Sequence, residues 1–255
     1  MATKHTIAIL NQKGGVGKTT TTINLAAYLA KAGRSVLVVD LDPQGNTTSG
    51  LGLDKQKLDA TLYDVLFLRA EVSKTIREVT SHGLFLLPAN AELAGAEVEL
   101  VNLAEREHQL KKVLKGLEYD YILIDCPPSL GLLSINALTA ASDVMIPVQT
   151  EYYALEGLSQ LLAVVQQVRA RLNPDLNILG VLITMHDRRT SLSDQVKDEV
   201  ERYFGQKMLK TMIPRNVRLA EAPSFGKTIA EHDGCSKGAR AYKALAKELE
   251  KRTYG

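Results

Sequence analysis

The residues best suited to chemistry are Lys13-Gly14-Gly15-Val16-Gly17-Lys18-Thr19-Thr20. Glycines let a backbone curl until several N–H groups face one anion, and a helix starting after such a loop adds its positive dipole end. In that setting Lys18 is expected to reach the β- and γ-phosphates of a nucleotide, and the Thr19 hydroxyl to complete the shell of a Mg²⁺ ion. The common phosphate-loop pattern, G-x-x-x-x-G-K-[ST], requires glycine at position 12, where this chain has Gln12, and it does not call for the lysine at 13. A glycine-rich turn without a ligand is the bland alternative. An apolar strand pattern before the loop and a helical pattern after it, both in register with Lys18 and Thr19, argue against that.

Three carboxylates belong to the same reading. Val38-Val39-Asp40-Leu41-Asp42-Pro43-Gln44-Gly45 ends a β-rich run with two aspartates, at the edge where open α/β sheets bind ligands. Alternation puts Asp40 and Asp42 on one side. Asp40, nearer the sheet, suits the Mg²⁺ shell. Asp42 is carried into a loop by Pro43 and Gly45, where it can position a water at the γ-phosphate. Tyr121-Ile122-Leu123-Ile124-Asp125-Cys126-Pro127-Pro128 is an apolar run ending in an aspartate, the pattern of a second Mg²⁺-holding carboxylate.

Positioning these groups requires a sheet covered on both faces. Short apolar β-branched runs at 6–10, 35–40, 84–88, 121–125, 144–148, 178–184 and 208–213 read as strands. Helical patterns at 18–32, 62–66, 93–117, 132–141, 154–172, 191–204 and 236–252 separate them. The expected fold class is α/β: a doubly wound, mostly parallel sheet with helices on both faces, forming a single domain over 1–255. No stretch approaches the length of a membrane span and no signal-peptide pattern opens the chain, so a cytoplasmic protein is expected. Cys126 and Cys235 form no metal or disulfide pattern.

The loop K-G-G-V-G-K-T-T resembles the deviant P-loop of the ParA/MinD family of ATPases, and D-x-D-P-Q-G-N resembles that family's switch region. I-D-C-P-P-S-L-G and P-R-N-V-R-L-A-E-A-P-S follow in family order, so the resemblance covers nearly the whole chain and is strongest to its ParA/Soj partition branch. It implies an ATP- and Mg²⁺-dependent hydrolase that forms a homodimer with ATP. It further implies that Lys13 crosses the dimer interface to the partner's nucleotide and that Asp42 activates the attacking water. Met185, Pro214 and Asn216 would then frame adenine. The stretch from Pro147 to Gly157 would supply dimer contacts, with a plain helix N-terminus as the equal alternative.

The net charge of +2 is unevenly distributed: residues 1–168 hold 14 Lys+Arg against 18 Asp+Glu, and residues 169–255 hold 17 against 11. Arg188, Arg189, Arg215, Arg218, Lys227, Lys237 and Arg240 stand in the basic third, a footprint suited to DNA phosphates. No base-reading helix is evident, so nonspecific double-stranded DNA is the expected partner. Of the set Arg189, Arg215, Arg218, Lys227 and Arg240, the resemblance favours Arg189 and Arg218. It also implies a ParB-like activator, chromosome segregation as the task, and association with the nucleoid in the ATP state. The rival is a MinD-like membrane-surface regulator, whose chain would end in a basic amphipathic helix carrying large apolar residues. Here the last helix is mostly Ala and Leu on its apolar face, and stable membrane association is not expected.

Overall fold

The computed structural model describes residues 5–80, 83–151, 154–187 and 189–254, the side chains of 154–156 excepted. Its strands are β1 (His5–Ile9), β2 (Val36–Asp40), β3 (Arg77–Thr80), β4 (Leu84–Leu87), β5 (Tyr121–Asp125), β6 (Asp143–Gln149) and β7 (Asn177–Thr184). They form one sheet in the order β3-β4-β2-β5-β1-β6-β7, parallel throughout except for the β3–β4 pair. Both faces are covered, which is why the central strands are apolar along their whole length instead of alternating with polar residues.

Alternation along each strand divides the core in two. Ile7, Ile9, Val36, Val38, Tyr121 and Leu123 point to one face; Ala8, Leu10, Leu37, Val39, Ile122 and Ile124 point to the other. The helices in chain order are α1 (Lys18–Lys31), α2 (Asn46–Gly50), α3 (Leu62–Leu66), α4 (Val72–Thr75), α5 (Ala96–Leu100) and α6 (Gln109–Leu114). After them come α7 (Leu132–Ala140), α8 (Ala154–Arg171), α9 (Ser191–Phe204), α10 (Val217–Glu221), α11 (Ile229–His232) and α12 (Lys237–Tyr254). Helices α1 and α12 cover the first face, with Leu25, Leu29, Tyr242, Leu245 and Leu249 all buried there. The apolar face of α12 is thus occupied by the core. No helix among the described residues is long and apolar enough to cross a membrane.

Three expectations are corrected. The helix expected over 93–117 is broken into a 3₁₀ turn, Ala91–Gly95, then α5, a second 3₁₀ turn, Arg106–His108, and α6. Glu105 stands in the left-handed region at φ 50° before the second turn, and Gln109 closes the break by donating to the carbonyls of Ala104 and Glu105. The strand expected over 208–213 is not one. That segment meets β7 only at separated points: an isolated bridge joins Val181 to Met208, the amides of Leu209 and Ile213 donate to the Val181 and Ile183 carbonyls, both at 2.9 Å, and a second bridge links His186 to Pro214. The amides of Lys210 and Thr211 go instead to the carboxylate of Glu248, both at 2.8 Å. An antiparallel edge strand, β3, was not expected; its residues Arg77-Glu78-Val79-Thr80 carry little of the apolar signal that marks the interior strands.

Candidate nucleotide site

Parallel register sets the site. Asp40 pairs with Asp125 across β2 and β5, and Ile9 pairs with Asp125 across β1 and β5, so the carboxyl ends of three adjacent strands converge on one edge. The Gly-rich loop leaves β1 there and enters α1. Gly15 and Gly17 adopt φ of 77° and 88°, a backbone that residues with a Cβ rarely take. A Cβ added at Gly14 or Gly15, both exposed, would meet nothing within 4 Å, so the loop is uncrowded on that side. Neighbouring strands pin the loop. Asn11 donates to the carbonyl of Pro147 at 2.7 Å and accepts from the Lys13 amide at 3.0 Å, and the Thr184 hydroxyl donates to the Val16 carbonyl at 2.8 Å.

Lys18 is 7 % exposed, and its ammonium donates to the Lys13 carbonyl at 3.2 Å. Burial lowers its pKa below the usual lysine range, against the pull of Asp125 and Asp42. A buried cation beneath a glycine-rich loop is suited to a polyanion.

Asp125 is fully buried. Its Oδ2 accepts from Thr19 at 2.7 Å and from Thr47 at 2.6 Å, and its Oδ1 accepts from Thr22 at 3.3 Å. Burial pushes its pKa up to about 6 despite the hydroxyls of Thr47 and Thr19. A carboxylate short of solvent beside a threonine hydroxyl fits a hard divalent cation, which takes oxygen ligands and would supply the missing positive charge. Asp40 has other partners. Its Oδ2 accepts from the amide and hydroxyl of Thr48, at 2.8 and 2.7 Å, and its Oδ1 accepts from the Asp42 amide at 3.3 Å. Burial, then the charge of Asp125, pushes Asp40 up to about 8. The two aspartates expected in one metal shell therefore differ. Asp125 bonds the P-loop threonine, and Asp40 ties down α2. Asp42 keeps a carboxylate oxygen on the Gln44 amide at 2.9 Å in the loop that follows.

Off the loop opens a cavity of about 300 Å³ lined by Gly17, Thr20, Met185, Pro214, Asn216 and Tyr242, among others. The three residues expected at adenine are together in its wall. Asn216 accepts from the Leu219 amide at 3.3 Å and caps α10. Tyr242, from α12, reaches the Thr21 hydroxyl at 3.1 Å.

Lys13 is not among the residues lining this cavity and pairs with Glu151 of its own chain. Tyr152 and Tyr153, in the same expected contact stretch, lie outside the described residues, as does Arg188. Of the expected DNA residues, Arg189, Arg215 and Arg240 line one cleft. Arg218 lies outside it, paired with Glu221 at 2.9 Å and Asp233 at 3.6 Å, and Lys227 is exposed elsewhere. Sequence reasoning missed Thr22, Thr47, Thr48 and Asn11, while Thr184, at the strand end expected near adenine, lines the cavity with Met185. The Thr19-Thr20-Thr21-Thr22 run was the available signal for Thr22.

A family model described as an AAA domain matches residues 4–178. The sporulation initiation inhibitor protein Soj of Bacillus subtilis is 58 % identical over 95 % of this chain and 97 % of its own length. The chromosome partitioning protein ParA of Myxococcus xanthus is 53 % identical over 96 % of this chain and 88 % of its own. Among solved structures, a cobyrinic acid a,c-diamide synthase from Mycobacterium smegmatis with bound ADP and magnesium superposes with a TM-score of 0.84. It is 42 % identical and covers 96 % of this chain and 93 % of its own. With the phosphate loop, the two aspartate-bearing strand ends and the base-sized cavity on one sheet edge, these likenesses lead to one assignment: the chain belongs to the ParA/Soj family of chromosome-partitioning ATPases.

Proposed function

We propose that residues 1–255 work as one ATPase domain that binds ATP and Mg²⁺, pairs into an ATP-sandwich homodimer, and in that state binds DNA without sequence preference. Hydrolysis, stimulated by a ParB-like partner, releases the DNA. The working place is the cytoplasm, on the nucleoid while ATP is bound. The observation that carries this reading is continuity: Gly17 and Thr20 of the phosphate loop also line the cavity of Met185, Pro214 and Asn216, so a base in the cavity and phosphates in the loop belong to one ligand.

Each residue has a task in this reading. Backbone N–H groups from Gly14 to Thr20 hold the phosphates, and Lys18 neutralises the β- and γ-oxygens. Thr19 and Asp125 hold Mg²⁺, which when bound offsets phosphate charge. Asp40 holds the switch loop through Thr48, and Asp42 orients the water that attacks the γ-phosphate in line. Lys13 leaves Glu151 and contacts the partner's nucleotide, completing two sites in one event. Arg189, Arg215, Arg218, Lys227 and Arg240 are the proposed DNA residues, and dimerisation doubles their number on one body.

A DNA-binding assay with no nucleotide, with ADP and with ATP tests the reading, and a parallel assay uses anionic liposomes. Binding to random-sequence duplex with ATP alone is expected. Equal DNA affinity in all three states, or ATP-dependent capture by liposomes in place of DNA, overturns it and favours the membrane-surface alternative.

A further inference from the structure

The two ends of the nucleotide site come from distant parts of the chain. Asp42 and Thr47, at the proposed Mg²⁺ end, belong to the segment that runs into α2; Asn216, in the cavity wall, starts the segment that carries α10. Thr47 and Thr48 fix the first turn of α2 to the sheet edge through the carboxylates of Asp125 and Asp40. Beyond that turn the amides of Leu51, Gly52 and Leu53 donate back to the carbonyls of Thr47, Ser49 and Thr48, at 3.0, 3.0 and 3.2 Å. This end of α2 is seated on the rest of the protein by packing.

Gly52 and Gly226 meet there, main chain against main chain. Both are left-handed, at φ of 87° and 60°. A Cβ built on Gly226 would stand 2.8 Å from the Gly52 Cα and 3.3 Å from its nitrogen, and one built on Gly52 would stand 3.1 Å from the Gly226 carbonyl oxygen. Two residues earlier, a Cβ on Gly50 would meet Cδ1 of Ile23, on α1, at 2.6 Å. Side chains between neighbouring elements take up small shifts by changing rotamer, and a contact between two main chains has no such slack.

Gly226 is itself held in place. It closes the 3₁₀ turn Ala222–Phe225, its amide donating to the Pro223 carbonyl at 3.0 Å. Just beyond, the Ile229 amide donates to Oδ1 of the buried Asn24, whose Nδ2 donates to the Thr20 carbonyl, at 2.7 and 2.8 Å. Thr20 and Asn216 both line the nucleotide cavity, so the chain from Asn216 to Ile229 runs from the cavity wall, past Gly52, and back to the phosphate-loop helix. We infer that Gly52 and Gly226 are positioning residues for ATP hydrolysis: their contact sets the base end and the Mg²⁺ end of the site in step through the protein as well as through the ligand. The inference rests on the nucleotide reading given above. A shift of α2 on binding of the γ-phosphate passes to the turn that holds Gly226, and a base seated in the cavity restrains the segment of Asp42 and Thr47. Neither glycine lines the cavity, and both act through α2.

The chain has no tryptophan, so Phe225→Trp places a single reporter beside Gly226, at a side chain 63 % exposed. Binding of Mg²⁺ with ADP or with a non-hydrolysable ATP analogue is measured by equilibrium dialysis. Fluorescence is followed by stopped flow with the same two ligands at several protein concentrations. The expected result is a change with the analogue that ADP does not give, at a rate independent of protein concentration because it arises within one chain. Gly52→Ala in the reporter protein should lose that change and still bind the analogue. In the chain without the reporter, Gly226→Ala should lower kcat about tenfold or more while KM for ATP stays within about threefold. Gly116→Ala is the control: it carries the same left-handed strain, at φ of 84°, with nothing within 4 Å of the added Cβ, and should turn over like the parent. A reporter that binds the analogue and stays silent, or that responds at a rate rising with protein concentration, overturns the inference and leaves the nucleotide reading in place. So does a folded Gly226→Ala with the parent's kcat, or a Gly116→Ala that loses as much turnover; the reporter measurement does not need Gly226→Ala to fold. A chain that binds neither ligand removes the nucleotide reading, and this inference with it.

Discussion

Lys13 and Glu151 form an ion pair within one chain, joining the loop after β1 to the end of the adjacent strand β6. Both side chains remain close to half exposed, 41 and 47 %, so the pair is reachable and easily exchanged. In the proposed cycle Lys13 must leave Glu151 before it can reach a second nucleotide. Exposed pairs of this kind contribute about 0–1 kcal/mol. Glu151→Gln is therefore expected to lower the ATP concentration at which dimers form, by up to about fivefold, as followed by light scattering. Lys13→Ala should bind ATP with affinity close to the parent and remain monomeric. A Lys13→Ala protein that dimerises and turns over normally would remove the cross-interface role.

Thr48 ties α2 to the sheet edge. Its hydroxyl donates to the buried Asp40 at 2.7 Å and accepts from the Ala89 amide at 2.9 Å. Thr48→Val keeps the shape, strips Asp40 of one donor and leaves the Ala89 amide unsatisfied. A loss of about 1–3 kcal/mol in urea unfolding is expected. An unchanged midpoint would show that the loop is held elsewhere.

Gly45, before α2, has φ of 59°. A Cβ there would stand 2.8 Å from the carbonyl oxygen of Ala89, a backbone atom that cannot swing aside, and 2.6 Å from the Lys55 side chain. Gly45→Ala combines an unfavourable backbone with a clash and is expected to cost about 1–3 kcal/mol. ATPase activity should fall further than stability explains, because the displaced segment carries Asp42 and Thr47. Activity per folded molecule equal to the parent would separate the loop from the chemistry.

The two cysteines differ in burial. Cys126 is fully buried beside Asp125, and Cys235 is exposed. A thiol reagent should modify one site per native chain, at Cys235, and two after denaturation, with the sites read by peptide mass mapping. Rapid native labelling of Cys126 would mean that the strand end beside the proposed Mg²⁺ position opens.

The central strands could be read from the sequence because burial on both faces forces uninterrupted apolar runs, and β1, β2 and β5 end within a residue or so of the expected limits. The edge of the sheet was harder to read. Arg77–Thr80 is polar at three of its four positions, and 208–213 is apolar enough to pass for a strand while its amides at Lys210 and Thr211 are claimed by a distant side chain, Glu248. At the site, glycines and lysines announce themselves through spacing. Thr47 and Thr48 do not, since a threonine in a loop reads the same whether its hydroxyl meets water or a buried aspartate. The partners of Asp40 were hidden for that reason. The basic third was visible as composition, but only folding shows Arg189, Arg215 and Arg240 in one cleft with Lys210 and Lys237, and Arg218 and Lys227 outside it.

The central claim is that Asp42 positions the attacking water and does not hold the nucleotide. Its carboxylate sits at the loop end beyond β2 with Oδ1 on the Gln44 amide, one strand from Asp125 and close enough to Lys18 for their charges to interact. The most direct measurement is ATP turnover by Asp42→Ala, taken together with its oligomeric state at saturating ATP. The account predicts ATP binding like the parent, turnover reduced by about a hundredfold or more, and a dimer that persists because ATP is not consumed. Normal turnover, or a variant that no longer binds ATP, would contradict it.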